Sequence, residues 1–196
     1  MDAYLLDWLN LLLRWAHVIT AIAWIGASFY FVLLDNSLTP PEHADLKQKG
    51  VDGELWAVHG GGFYHSNKYM VAPKWLPLPE NMHWSYWESY STWLTGFGLF
   101  TVLYLFNAGT FLVDKSVYDW SAGAAIGASL GFLVAFWVVY DVICRWVGTS
   151  GQRENGDLIV GVGVFVLVVF ASWLACQLFA GRAAFLLVGA MLATTM

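Results

Sequence analysis

The chain has 196 residues, of which 59% are hydrophobic and only 12% are charged. Soluble domains carry about 25% charged residues, so the composition excludes an ordinary soluble domain and indicates an integral membrane protein. The formal net charge of −5 favours no polyanionic partner, and nucleic acid is not expected. Cys144 and Cys176 form neither a CxxC pair nor a CxxCH haem-attachment motif, which argues against a disulfide framework and a zinc knuckle.

Long apolar runs predict four complete transmembrane helices. A helix needs roughly 20 apolar residues to cross the hydrocarbon core, and the four runs cover about residues 8–34, 89–113, 120–145 and 158–179. A fifth run, residues 183–196, reaches only about 21 Å at 1.5 Å per residue. We therefore expect an all-α integral membrane protein, with one transmembrane domain over residues 1–196, a truncated fifth span, and a chain that forms the first half of a longer protein.

The lysines and arginines predict the orientation of these spans. Cytoplasmic loops carry an excess of both residues. More of them lie on the side that holds the first and third loops (Lys47, Lys49, Lys68, Lys74, Arg145, Arg153) than on the other side (Arg14, Lys115, Arg182). The first loop, residues 35–88, is therefore predicted to be cytoplasmic and the amino terminus to face outward.

That first loop is too long to be a simple connection. Residues 54–59 alternate in a way that suits a short strand, and residues 63–71 can return as a second strand across Gly60-Gly61-Gly62. The loop is thus predicted to hold a short β-hairpin. His59 and His65 flank the glycines, an arrangement that suits a ligand or metal site but also an ordinary turn.

Ionisable side chains near membrane depth are the other candidates for chemistry. His17 lies inside the first span, where an imidazole is costly unless it faces the bundle interior or a cofactor. Two alternative roles for His17 stay open. It can hydrogen-bond to a neighbouring helix, or it can line a transport pathway together with Arg14. Glu88, just before the second span, is a candidate general base.

Four segments together resemble one protein family. They are RWAHVITAIAWIGASFYF at residues 14–31, WAVHGGGFYH at residues 56–65, WESYSTWL at residues 87–94 and GRAAF at residues 181–185. The chain resembles, over nearly its whole length, the amino-terminal membrane domain of the bacterial membrane-bound urate oxidases (urate hydroxylases). This implies a purine-catabolic enzyme of the bacterial inner membrane, multi-pass and with a periplasmic amino terminus. It would oxidise urate to 5-hydroxyisourate and pass the electrons to cytochrome c or a cytochrome c domain.

The resemblance and the chemistry of urate together suggest site residues. Urate is a planar anion at neutral pH, so its site should supply cationic or N–H donors and an aromatic wall. The side chains predicted to contact the substrate are Arg14, Tyr64, Lys68 and Trp75. Proton transfer is assigned to His59, His65 and Glu88.

A haem is the cofactor that this family implies, either in this domain or in a missing cytochrome c domain. His17 is the predicted cofactor and metal ligand. Relatives tend to carry histidine at the positions of Leu187 and Gln177. This chain lacks both, so His17 is the one imidazole that remains inside the predicted spans. The alternative function is a non-catalytic membrane module that binds haem and transfers electrons.

Overall fold

A computed structural model describes residues 3–73, 76–78, 80, 82–149 and 156–195. Its contacts divide the chain into two compact units. The helical unit comprises residues 1–21 and 89–196, and the loop unit comprises residues 22–88. The first helix, α1 (Ala3–Ser37), contributes residues to both.

Three helices are long and apolar enough to cross a membrane, which supports the prediction of a helical membrane protein. They are α1, α5 (Ala122–Thr149) and α6 (Gly156–Leu178), with apolar spans over Ala3–Ser37, Ala122–Val147 and Leu158–Leu178. A further helix, α7 (Gly181–Thr195), has 15 residues and is therefore shorter than the roughly 20 that a span requires.

The second predicted span, residues 89–113, is interrupted in the structure. It consists of α3 (Trp87–Phe100), a π-helical segment (Thr101–Leu105) and the short helix α4 (Ala108–Phe111). The backbone N–H of Phe106 donates to the carbonyl of Thr101 over 3.1 Å, which is the i→i+5 pattern of a π-helix. No single helix of span length covers these described residues, so the fourth complete span stays a prediction.

The hydrophobic core of the helical unit lies where α3, the π segment and α4 meet α5, α6 and α7. Its members include Phe100, Tyr104, Leu112, Phe132, Phe136, Phe179, Leu187 and Met191. Two hydrogen bonds fix the turn between α6 and α7: the Trp120 indole N–H donates to the Leu178 carbonyl over 2.7 Å, and the Ala180 N–H to that of Leu112 over 3.0 Å. A third joins α3 to α7, because the Trp93 indole N–H donates to Thr194 Oγ1 over 3.2 Å.

The two positions at which family members were expected to carry histidine differ in environment. Leu187 is completely buried in the core of the helical unit, beside other apolar side chains. Gln177 is exposed on α6.

The loop unit contains the predicted hairpin, which is confirmed. Strand β1 (Gly53–His59) pairs antiparallel with β2 (Gly62–Lys68), after a short helix, α2 (Ala44–Gln48). The two-residue turn consists of Gly60 and Gly61, whose φ angles are +58° and +80°. A type I′ turn needs positive φ at both central residues, and glycine adopts it without strain. This explains why the chain reverses at the glycines.

Candidate functional site

The hairpin places its two histidines on opposite faces. Side chains alternate along a strand, and directly paired residues share a face. His65 pairs with Trp56, whereas His59 pairs with Gly62. His59 lies an odd number of residues from Trp56 on β1, and Gly62 lies an odd number of residues from His65 on β2. An odd separation along a strand puts two side chains on opposite faces. The two imidazoles therefore do not converge on one point across the turn.

On the first face, His65 is held by two neighbours on β1. Its Nε2 lies 2.6 Å from Oε2 of Glu54. Its ring stacks on the indole of Trp56, with the centroids 4.1 Å apart and the planes inclined by 5°. The His65 side chain keeps 23% of its surface exposed. The ring is therefore restrained by a hydrogen bond at one edge and by an aromatic wall on one face, while part of it stays accessible.

Glu54 is a buried carboxylate, with only 4% of its surface exposed. Its second oxygen, Oε1, accepts the backbone N–H of Glu42 over 2.7 Å. The backbone N–H of Glu42 and the imidazole of His65 hold the pKa of Glu54 below its ordinary value, with a smaller contribution from His43. Both carboxylate oxygens are thus satisfied, as a buried charge requires, and Glu54 is ionised near neutral pH.

The second face of the hairpin carries His59, Tyr64 and Lys68. His59 and Tyr64 are exposed. The Lys68 Nζ lies 2.7 Å from Oδ1 of Asp35 near the end of α1, so its charge is already paired within the loop unit.

Two further residues, Glu88 and Trp75, were predicted to act at the site. Glu88 is partly buried, and its Oε1 lies 4.0 Å from Nε2 of the exposed His83. Trp75, predicted to contact the substrate, lies outside the described residues.

In the helical unit, His17 of α1 lies against α3 in a small polar cluster. Its Nδ1 is 3.2 Å from the backbone carbonyl of Thr92 and 3.2 Å from Oγ1 of Thr95. Thr20, one turn along α1, is 3.2 Å from the same hydroxyl. A carbonyl can only accept, so we assign the ring hydrogen to Nδ1, which leaves the lone pair on Nε2.

Gly96 on α3 makes room for this imidazole. A Cβ built on Gly96 would lie 2.9 Å from Cε1 of His17 and 3.3 Å from Nδ1. Any larger residue would therefore displace the ring. Arg14, three residues earlier on α1, is exposed, and its Nε donates to Oδ1 of Asn10 on the same helix over 2.8 Å.

A haem or metal needs side chains that can act as its ligands, and His17 is the first candidate. A metal-bound histidine usually donates its other ring N–H to a carbonyl or carboxylate, and His17 has that arrangement towards Thr92. His17 therefore has the residue type and the carbonyl contact expected of one ligand to a haem or metal. Among the described residues, no group of three or more His, Cys, Asp or Glu side chains is placed to hold a metal ion by itself.

Comparison with known families covers almost the entire chain. The family described as Urate oxidase N-terminal matches residues 3–196. The chain belongs to the Urate oxidase N-terminal family. Comparison with curated proteins and with solved structures gave no match. The family resemblance drawn from the sequence is thereby confirmed, and a urate-oxidase-related function follows from it.

Two features of this urate-oxidase-family chain escaped the sequence analysis. Glu54 was one polar position in an alternating strand, and its contact with His65 depends on strand pairing across the turn. Once the two-glycine turn is known, counting outward from it places position 54 on the His65 face. Gly96 gave no such signal, because its contact with His17 joins segments that are far apart in sequence.

Proposed function

We propose that this chain is the membrane domain of an oxidoreductase that converts urate to 5-hydroxyisourate and passes the electrons to cytochrome c. The observation that carries the proposal is the family match over residues 3–196. A membrane-bound enzyme of this kind is supported by the three helices that are long and apolar enough to cross a membrane. We place it in the bacterial inner membrane with the amino terminus in the periplasm and the hairpin in the cytoplasm, as the lysine and arginine distribution predicts.

The proposed reaction needs water, a proton acceptor and an electron acceptor. The oxygen of water forms a bond to C5 of urate, and urate plus water gives 5-hydroxyisourate, two protons and two electrons. The electrons pass one at a time to ferric cytochrome c, and no peroxide is formed. The domain must therefore bind a planar anion and accept a proton beside it.

Within the loop unit, His65 is the proposed proton acceptor. Its ring is oriented by Glu54 and by the wall of Trp56, and it retains accessible surface. A base held in a defined orientation contributes roughly 10²–10⁴-fold to a proton-transfer step. His59, Glu88, Tyr64, Lys68, Trp75 and Arg14 remain proposed site residues, by chemical type and by the family resemblance.

The test of this function measures the loss of urate and the reduction of cytochrome c in the same assay. Membranes that contain the chain are mixed with urate and ferricytochrome c without oxygen. We expect urate to disappear with reduction of two equivalents of cytochrome c, and the new oxygen atom to come from isotopically labelled water. Absence of urate loss, or urate loss only with oxygen uptake and peroxide release, would contradict the proposal.

A second candidate function is haem binding by a membrane electron-transfer module. The observation that favours it is the orientation of His17, whose Nδ1 faces the Thr92 carbonyl, so that its Nε2 lone pair would hold the haem iron. A haem bound there would supply one-electron transfer. The purified chain should then show a Soret band that His17→Ala removes. His83→Ala is the matched control, because the His83 side chain is 76% exposed. An unchanged band in His17→Ala would exclude His17 as the ligand.

A further inference from the structure

The contact between Glu54 and His65 has the geometry of an oriented general base. A catalytic base is commonly aligned by a third group that accepts its other ring N–H. Here the carboxylate Oε2 lies 2.6 Å from Nε2. A carboxylate that is ionised only accepts hydrogen bonds, so Nε2 must carry the hydrogen.

This assignment determines the state of the other ring nitrogen. In the neutral imidazole, a hydrogen on Nε2 leaves Nδ1 with a lone pair. Nδ1 of His65 has no hydrogen-bond partner in the part of the chain that the structure describes. It is therefore placed to accept a proton from a bound molecule.

Glu54 is buried and is held in place by a backbone hydrogen bond. It is 4% exposed, and its Oε1 is occupied by the Glu42 backbone N–H at 2.7 Å. The titratable groups that face it are the imidazoles of His65 on β2 and His43 on the preceding loop. A buried carboxylate with one oxygen held by the backbone has little freedom to turn, so it fixes the direction of the second oxygen.

We infer that Glu54 is a positioning residue that holds His65 in the Nε2–H form, so that Nδ1 accepts a proton during oxidation of urate. This rests on the proposed function and deepens it. As the water oxygen bonds to C5 of urate, one O–H bond of that water breaks and its proton passes to Nδ1. The second proton passes to solvent, and the two electrons pass to ferric cytochrome c.

The decisive variant is Glu54→Gln. The Glu42 N–H and His65 Nε2 lie at different oxygens of Glu54, and a glutamine in the same position has an acceptor oxygen at only one of these two places. If the oxygen stays with Glu42, the amide NH₂ faces Nε2 and forces the ring hydrogen onto Nδ1, which removes the base. We expect kcat for urate to fall roughly 10²-fold or more, while KM changes little.

Glu42→Gln is the matched control. It removes an exposed carboxylate from the same loop but keeps the backbone N–H that Glu54 accepts. We expect its kcat to equal that of the wild type. Glu54→Asp keeps the charge on a shorter side chain and should recover part of the lost kcat.

Two readouts separate positioning from a purely structural role. Nitrogen NMR of ring-labelled histidine in the full chain should show the Nε2–H form of His65 in the wild type and loss of that form in Glu54→Gln. In the double variant with His65→Gln, Glu54→Gln should cause no further fall in kcat. Should Glu54→Gln fail to fold, the comparison of Glu54→Asp with Glu42→Gln gives the same test.

The outcomes are distinguishable. Wild-type kcat in Glu54→Gln, or an unchanged His65 tautomer, overturns the positioning role while urate oxidation by the wild type stands. A wild-type chain that does not oxidise urate overturns the proposed function and the catalytic role of His65 together. In that case the NMR result still decides whether Glu54 orients His65.

Discussion

The imidazole of His17 fits against the backbone of Gly96, where an added Cβ would lie only 2.9 Å from Cε1. The same ring has its Nδ1 3.2 Å from the Thr92 carbonyl. The position of this intramembrane histidine therefore depends on a glycine of the neighbouring helix as well as on a hydrogen bond. Ionisable residues inside spans are costly unless they face the protein interior, and this arrangement meets that condition.

Gly96→Ala should therefore destabilise the protein. The added methyl group overpacks a contact between α1 and α3, which typically costs about 1–3 kcal/mol, although alanine is the better helix former by about 1 kcal/mol. Gly127→Ala is the control, because no atom lies within 4 Å of a Cβ built there. Thermal unfolding in detergent should show a lower midpoint for Gly96→Ala and no decrease for Gly127→Ala. Equal midpoints would mean that the ring moves aside freely.

The opposite placement of His59 and His65 predicts that they act independently. Residues without shared partners and more than about 7–10 Å apart give additive effects, within about 0.5 kcal/mol. The changes in log kcat caused by His59→Ala and His65→Ala should therefore add in the double variant, which should have little or no urate turnover. Strong non-additivity in a double-mutant cycle would instead indicate one shared site.

The ionised Glu54 predicts that the hairpin is sensitive to acid. The Glu42 N–H and His65 hold the folded-state pKa of Glu54 below its ordinary value of 4.5. A group with a depressed folded pKa stabilises the protein above its unfolded pKa, and this contribution is lost as pH falls through the folded pKa. Stability should thus decline below pH 4.5, and less steeply in Glu54→Gln. Parallel pH profiles of unfolding for the two proteins would contradict this.

The ion pair between Lys68 and Asp35 should contribute little to stability. Both side chains are largely exposed, at 40% and 55%, and exposed pairs are typically worth about 0–1 kcal/mol. We expect Asp35→Asn to lower the free energy of unfolding by no more than this, and less at high salt. The same variant frees the Lys68 ammonium, so it should lower the KM for urate if Lys68 contacts the anion. Lys47→Gln, at an exposed position of α2, is the control.

The sequence was sufficient for features that depend on local pattern. Consecutive glycines between two alternating segments predicted the hairpin, because positive φ at Gly60 and Gly61 is a local requirement. Three of the four apolar runs predicted helices of span length for the same reason, since an uninterrupted apolar stretch needs no partner to be recognised. The run over residues 89–113 did not, because the π-helical segment interrupts it.

Contacts between distant segments were not predictable in this way. His17 was recognised as an unusual intramembrane residue, but its partners Thr92 and Thr95 lie on another helix. Glu54 was not recognised as a site residue, because a carboxylate in an alternating strand looks like a solvent-facing position. Its contacts come from segments away from its own strand: the pairing of β1 with β2 brings His65 to it, and the backbone N–H of Glu42 donates to its other oxygen.

The π-helical segment at residues 101–105 also has a consequence for how homologous chains should be aligned. Relative to a continuous α-helix, a π turn accommodates about one extra residue per turn, and one residue corresponds to about 100° of rotation. Since the wider turn takes up the extra residue, deleting a single residue from this segment would leave an α-helix whose residues on either side keep their faces, Thr92 and Gly96 among them. A one-residue gap at this point in a relative would thus be compatible with an unchanged polar face beside His17.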